Sequence, residues 1–181
     1  MIVKEIKMDN LQDILWKIPE TPGSFTYADL FGEIKTAIAD NEHEYEFIVG
    51  TDSQSYGKTF MFITVLCILK KGKGGTYFYK TEISSQAKSY HNNHKLRIFD
   101  EIAKTIECAS IITENTGYKP IVHLDVNSPH KREFTSAFSD QLRGWVISCG
   151  FEAVTKPLAF VASCVANRHT KNRKHKRKVR K

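Results

Sequence analysis

The chain has 181 residues, 41% apolar and 26% charged, which is an ordinary composition for a globular domain. That length supports one domain with a real core and is short for two. The longest apolar run, Met61 to Leu69, is interrupted by Thr64 and suits a strand better than a membrane span, and the N-terminal segment MIVKEIKMDNLQDILWKIPE has early acids and no apolar signal core, so a cytosolic protein is expected.

Taken in chain order, the first 40 residues read as helical or loop-like. Asn10 to Trp16 suits one or two helical turns, and Pro19 and Pro22-Gly23 break the pattern. A helix is expected from about Tyr27 to Asp40, with Leu30, Phe31, Ile34, Ala37 and Ile38 at helical spacing and Thr26 as N-cap. Three strand signals follow: Tyr45 to Asp52, Thr59 to Leu69 and Thr76 to Ser84. They are separated by Tyr56-Gly57-Lys58 and KKGKGG, and so read as an antiparallel meander. From Asn93 to about Ile112, Leu96, Phe99, Ile102, Ala103, Ile106 and Ala109 form one apolar helix face. A short buried strand, Pro120 to Val126, comes next. After it come a helix from Arg132 to Cys149, a strand from Phe151 to Thr155 and a last helix from Pro157 to Asn167. The order β-β-β-α-β-α-β-α predicts an α/β fold with a mixed five-stranded sheet and helices on both faces. Residues 1–44 are expected to pack on the core as an N-terminal extension, residues 45–167 to form the domain, and residues 168–181 to form a basic disordered tail.

That tail, RHTKNRKHKRKVRK, carries nine of the 27 Lys and Arg residues and no acid, leaving 18 basic and 20 acidic residues elsewhere. Such a block repels itself, and it suits a polyanion-binding arm as well as a solvated tail or address signal. The four cysteines, Cys67, Cys108, Cys149 and Cys164, lack zinc-ligand or redox spacing and read as small buried apolar residues.

Asp52 ends the first strand in VGTDSQS, and Asp125 lies in PIVHLDVNS. A carboxylate on an apolar strand is costly to desolvate unless it is paired or binds a cation. Each also has a local structural reading, as a turn cap or a strand end. Glu101 and Glu107 lie on the long helix between those strands. By helical angle Glu101 falls away from the apolar stripe and Glu107 at its border, so periodicity favours Glu107. His123 shares a strand face with Asp125 and suits a core histidine before a partner of a ligand carboxylate. Ser53 and Gln54 suit a substrate contact or a loop cap, and Lys156 a phosphate contact or a surface lysine. His91-Asn92-Asn93-His94 reads first as an N-cap and loop, and Trp16 and Trp145 as core anchors.

The stretches FIVGTDSQS, IVHLDVNS and GWVISCGFEAVTKPLAFVASCVANRHTK resemble the YkuK family of ribonuclease H-like proteins, over roughly Phe47 to Lys171. The resemblance implies the ribonuclease H-like fold and a divalent-metal nuclease site using Mg2+ or Mn2+. Asp52 and Asp125 would be the strand ligands, and RIFDEI matches the family's helix segment, which favours Glu101. Where related nucleases carry a further acid on the last helix, this chain has Asn167, which supplies an oxygen but no charge. Asp140 and His169 are candidate substitutes. The implied activity is two-metal hydrolysis of RNA, an RNA–DNA hybrid or structured DNA, with Asp52, Glu101 and Asp125 catalytic and Asn167 a fourth metal ligand. Ser53, Gln54, Lys156, His169, Lys171, Arg173 and Lys174 would meet nucleic acid, RNA or a hybrid ahead of duplex DNA, with no membrane and no small-molecule cofactor.

The alternative is a binding module on the same fold with weak or no hydrolysis. A phosphotransfer domain of the actin and sugar-kinase type is disfavoured, because the chain is short and lacks glycine-rich phosphate loops. The nuclease reading requires the oxygens of Asp52, Asp125 and Glu101 to meet in a small anionic cup. A lysine or arginine filling that cup counts against it.

Overall fold

The structure, a computed structural model, describes residues 11, 13–56, 59–84, 87–127 and 138–161. Its elements run α1 (Tyr27–Ala39), β1 (Tyr45–Tyr56), β2 (Thr59–Lys70), β3 (Gly74–Ser84), α2 (Ala87–Asn92), α3 (His94–Thr116), β4 (Ile121–Leu124), α4 (Ser139–Ser148) and β5 (Ala153–Thr155). They build one five-stranded sheet in the order β3-β2-β1-β4-β5.

The expected meander forms. β1 pairs antiparallel with β2, and β2 with β3, while β4 pairs parallel with β1 and with β5. β2 is buried over most of its length because strands flank it and both its faces are covered. Gly75 is the second residue of β3, where a Cβ would lie 2.7 Å from the Ile68 carbonyl oxygen, so only glycine fits the close strand approach.

One face of the sheet carries α1, α3 and α4. Phe47, Val49, Leu66, Ile68 and Phe78 meet Leu30, Ile34, Cys108 and Ile112. Val122, Leu124 and Ala153 meet Ile98, Ile102, Leu142 and Val146. The opposite face gathers Ile48, Met61, Ile63 and Val65 around Val161, where the chain turns helical. Helix ends follow their chemistry. Thr26 and Asp29 form a capping box on α1, the Asn93 side chain accepts from Leu96 N–H at 3.0 Å, and Gly117 closes α3 in the left-handed region at φ 76°.

Several expectations need correction. Of the segment expected to be helical, Leu11 and Asp13 lie in turns, Ile14 and Leu15 in no regular element and Trp16 in a β-bridge, while residues 10 and 12 lie outside the described residues. Trp16 bridges Phe25, and Lys17 bridges Tyr79 at the β3 edge, so this segment partly covers that edge. α3 is rotated from the expected face: Ile98, Glu101, Ile102, Thr105, Cys108, Ala109, Ile111 and Ile112 are buried, while Leu96 is exposed. Cys108 is buried and burial raises its thiol to about 11, but Cys149 is exposed at the α4 C-terminus. Cys164 and most of the expected last helix lie outside the described residues, as does the helix start expected at Arg132. Trp16 is fully buried with its ring edge-on to Tyr27 at 5.3 Å, and Trp145 stacks on Phe99 at 5.9 Å, so both anchor core. Among the described residues, no helix is long and apolar enough to cross a membrane.

Candidate active site

The chain leaves β1 for β2 on one side and returns, by way of α3, to β4 on the other. Between β1 and β4 the order of the sheet therefore switches, and in α/β sheets the crevice at the carboxyl ends of such strands is the usual ligand position. The β1–β4 ladder ends at Gly50–His123. Asp52 and Asp125 each lie two residues further on. Ile48 and Ile121 point to the Val161 face, and the two-residue strand period puts both aspartates on that same face.

Their proximity is registered electrostatically. Burial, then the Asp125 charge, pushes the Asp52 carboxyl up to about 6, against the Ser53 N–H, Arg97 and Lys156, which hold it down. Asp52 Oδ1 accepts that N–H at 2.8 Å.

Ser53 points to the other face, toward α3. It is 6% exposed, and its Oγ donates to Glu101 Oε1 at 2.6 Å. Arg97, one turn earlier on α3, places Nη1 3.1 Å from Ser53 Oγ and 3.3 Å from Glu101 Oε1. Glu101 is 6% exposed, and burial and the Asp52 charge raise its carboxyl above the ordinary range, while Arg97 and Ser53 pull it down. Glu107 is exposed, so Glu101 is the helix acid that meets the strand aspartates.

On β5, the register Leu124–Thr155 continues one step to set Lys156 beside Asp125. The Lys156 N–H donates to Val126 O at 3.1 Å, fixing that step. Lys156 Nζ lies 2.6 Å from Asp125 Oδ1, yet that oxygen is buried with no hydrogen bond of acceptable geometry. The contact is thus one of charge, and the oxygen's directional lone pairs are unmet.

Glu101 feels the charges of both aspartates, and cations stand against Asp125 and Glu101. Among the described residues, no three His, Cys, Asp or Glu side chains form a group able to hold a metal ion. The condition set against hydrolysis, a lysine or arginine in the cup, is met at Asp125 and Glu101. Sequence reading missed Arg97. The signal was its place four residues before Glu101, one helical turn away.

The other candidates sort as follows. Gln54 is partly exposed on the aspartate face, whereas Ser53 is committed to Glu101. His123 is buried, accepts the Phe160 N–H on Nδ1 at 3.3 Å, and is lowered by burial to about 4, so it ties the chain after β5 to β4 as a neutral core histidine. Asp140 is exposed in the first turn of α4. Asn93 caps α3, and His91 packs on Phe60 at 4.8 Å from within α2. Asn167, His169, Lys171, Arg173 and Lys174 lie outside the described residues.

Comparison with known proteins agrees with this architecture. The chain is 29% identical over 167 residues, 81% of its length and 91% of the relative's, to the "Uncharacterized protein YkuK" of Bacillus subtilis (strain 168). No solved structure matches it significantly. The sequence model of the Ribonuclease H-like family matches residues 29–171, a span that includes most of α1, the whole sheet and every described candidate site residue, and the chain belongs to that family.

Proposed function

We propose that this protein hydrolyses phosphodiester bonds of nucleic acid, RNA or an RNA–DNA hybrid ahead of duplex DNA, with Mg2+ or Mn2+ held by Asp52 and Asp125. One observation carries the reading: two half-buried aspartates, Asp52 on β1 and Asp125 just past β4, each follow the last β1–β4 rung by two residues at the switch point of the sheet, and the charge of Asp125 is felt at Asp52. Clustered acids need counter-charge. The unmet oxygen of Asp125 and the repelled carboxyl of Asp52 fit a small hard cation that prefers oxygen ligands. Glu101 and Asn167 are the further ligands this reading assigns. Glu101 serves only after leaving Arg97.

When bound, the ion supplies positive charge against the phosphate oxygens. The residues do the rest. Asp52 and Asp125 orient the site from rigid strands, Ser53 fixes the Asp52 carboxylate through its N–H, and the basic tail raises affinity for the polyanion.

A second reading is a nucleic-acid-binding module with weak or no hydrolysis. Lys156 on Asp125 and Arg97 on Glu101 favour it, since they already neutralise the acids from within the chain. One experiment separates the two. Labelled RNA, hybrid and duplex DNA are incubated with the protein in Mg2+, Mn2+ or EDTA, alongside Asp52→Asn. Metal-dependent cleavage lost in Asp52→Asn supports the nuclease. Full cleavage by that variant removes Asp52 from the mechanism, and binding without turnover by the parent chain leaves the binding module.

A further inference from the structure

The chain beyond β5 turns back over the sheet face that carries the aspartates. The Leu158 and Ala159 N–H groups both donate to Thr155 O at 3.1 Å, which closes a turn just past Lys156. From there, successive side chains alternate between inside and outside. Ala159 and Val161 are 6% and 3% exposed, and Val161 packs with Ile48, Met61 and Ile63. Leu158 and Phe160 are 74% and 47% exposed. Phe160 is nonetheless held in place. Its N–H donates to His123 Nδ1 at 3.3 Å, and its ring meets the His123 ring at 5.3 Å with the planes 71° apart.

His123 and Asp125 share a strand face two residues apart, about 7 Å along the strand. An anchored, half-exposed aromatic ring therefore lies one side-chain step behind Asp125, on the face of the acid pair. That step is about two stacked nucleotides along a strand. A strand with a phosphate at the aspartates can thus bring a neighbouring base to Phe160. The size of the apolar patch decides between occupants. A specific protein partner needs about 800 Å² from each side, far more than two side chains supply. A single base needs only one ring to stack on.

We propose that Phe160 stacks an unpaired base of the nucleic-acid strand whose phosphate lies at Asp52 and Asp125. This rests on the nucleic-acid reading above and narrows its substrate to single-stranded or locally unpaired nucleic acid. A base inside a duplex keeps both faces covered by its neighbours and reaches a protein ring only when it is splayed out. His123 is then a positioning residue: its neutral ring holds the Phe160 backbone over β4.

The test uses the full chain in EDTA, where no metal-dependent cleavage occurs, and follows fluorescence anisotropy across a salt series. The labelled probes are a single-stranded RNA, the same strand in an RNA–DNA hybrid, and an abasic phosphodiester strand of the same length. Phe160→Ala is expected to weaken single-strand binding about fivefold or more, the loss of one base–aromatic stack, and hybrid binding by less than about twofold. The slope of log affinity against log salt should keep its parental value, because no charge is removed. The parent chain should prefer the RNA strand to the abasic one, and that preference should shrink in Phe160→Ala. Unchanged single-strand affinity in the variant, an equal loss on strand and hybrid, or a parent chain that binds the abasic strand as tightly as RNA overturns the proposal. Should Phe160→Ala fail to fold by circular dichroism, Phe160→Leu decides, since it keeps apolar bulk and removes the aromatic face: parental single-strand affinity in that variant overturns the proposal equally. A parent chain that binds none of the probes overturns the nucleic-acid reading itself, and this inference with it.

Discussion

Asp52 on β1 and Asp125 just past the end of β4 occupy matching positions, each two residues beyond the last rung at Gly50–His123. Burial first, and then the like charge of Asp125, raise the Asp52 carboxyl from 3.8 to about 6. An acid with a raised folded value binds its proton more readily in the fold than in the unfolded chain. Its destabilising effect is complete above about pH 6 and disappears as the pH falls to about 4. Asp52→Asn should thus unfold at higher urea than the parent at about pH 8, by roughly 1–3 kcal/mol, and match it near pH 4. Equal stability at the higher pH would show that neither burial nor Asp125 raises the Asp52 carboxyl.

His123 titrates with the opposite sense. Burial lowers it from 6.5 to about 4, and its Nδ1 accepts the Phe160 N–H only while unprotonated. Its contribution is complete above about pH 6.5 and is lost as the pH falls toward 4, amounting to about 3 kcal/mol at most. His123→Gln keeps an acceptor but cannot titrate in this range. Its stability curve should be flatter than the parent's between those limits, measured by urea unfolding at several pH values. An identical acid limb would place the acid sensitivity in other groups.

Lys156 tests the charge balance of the site from the other side. Its ammonium stands 2.6 Å from Asp125 Oδ1 while remaining a third exposed, so it can withdraw. A cation entering between the aspartates competes with it. Lys156→Gln should tighten Mn2+ binding by roughly fivefold, about the effect of removing one charge at this range in a partly hydrated site. Isothermal titration reads this without reference to activity. Binding that weakens or stays the same would show that Lys156 and the ion do not share Asp125.

Much of this fold is local and therefore legible in the chain. The three hairpin strands announce themselves by β-branched and aromatic runs between glycine turns, and Thr26 and Asn93 by their capping chemistry. What escapes is whatever depends on a distant partner. α3 packs on the sheet through Glu101 and Thr105 as well as its apolar residues. A hydrophobic count, blind to polar groups that find partners inside, turned its face toward Leu96 and favoured Glu107. Trp16 falls at the end of a stretch that suits helical turns, because its bridge to Phe25, like that of Lys17 to Tyr79, leaves no periodic trace. Asp52 and Asp125 were readable as polar interruptions of apolar strands. Their cationic neighbours were not: Lys156 reaches Asp125 only through the parallel register of β4 and β5, and Arg97 was lost in an exposed-looking turn.

The basic terminus should act on affinity and leave the carboxylate site alone. Positions 168–181 hold a third of the chain's Lys and Arg, while the rest of the sequence is slightly acidic, so attraction to a polyanion depends on this segment. Replacing Arg173, Lys174, Arg177 and Lys178 with Gln in the full chain removes up to four phosphate contacts. The salt slope should then fall by as much as about 3, with binding weakened most at low salt. Mn2+ affinity should stay at the parental value, because none of these four residues is a proposed ligand of the ion. An unchanged slope would make the segment a passive tail and return the whole burden of polyanion recognition to the rest of the chain.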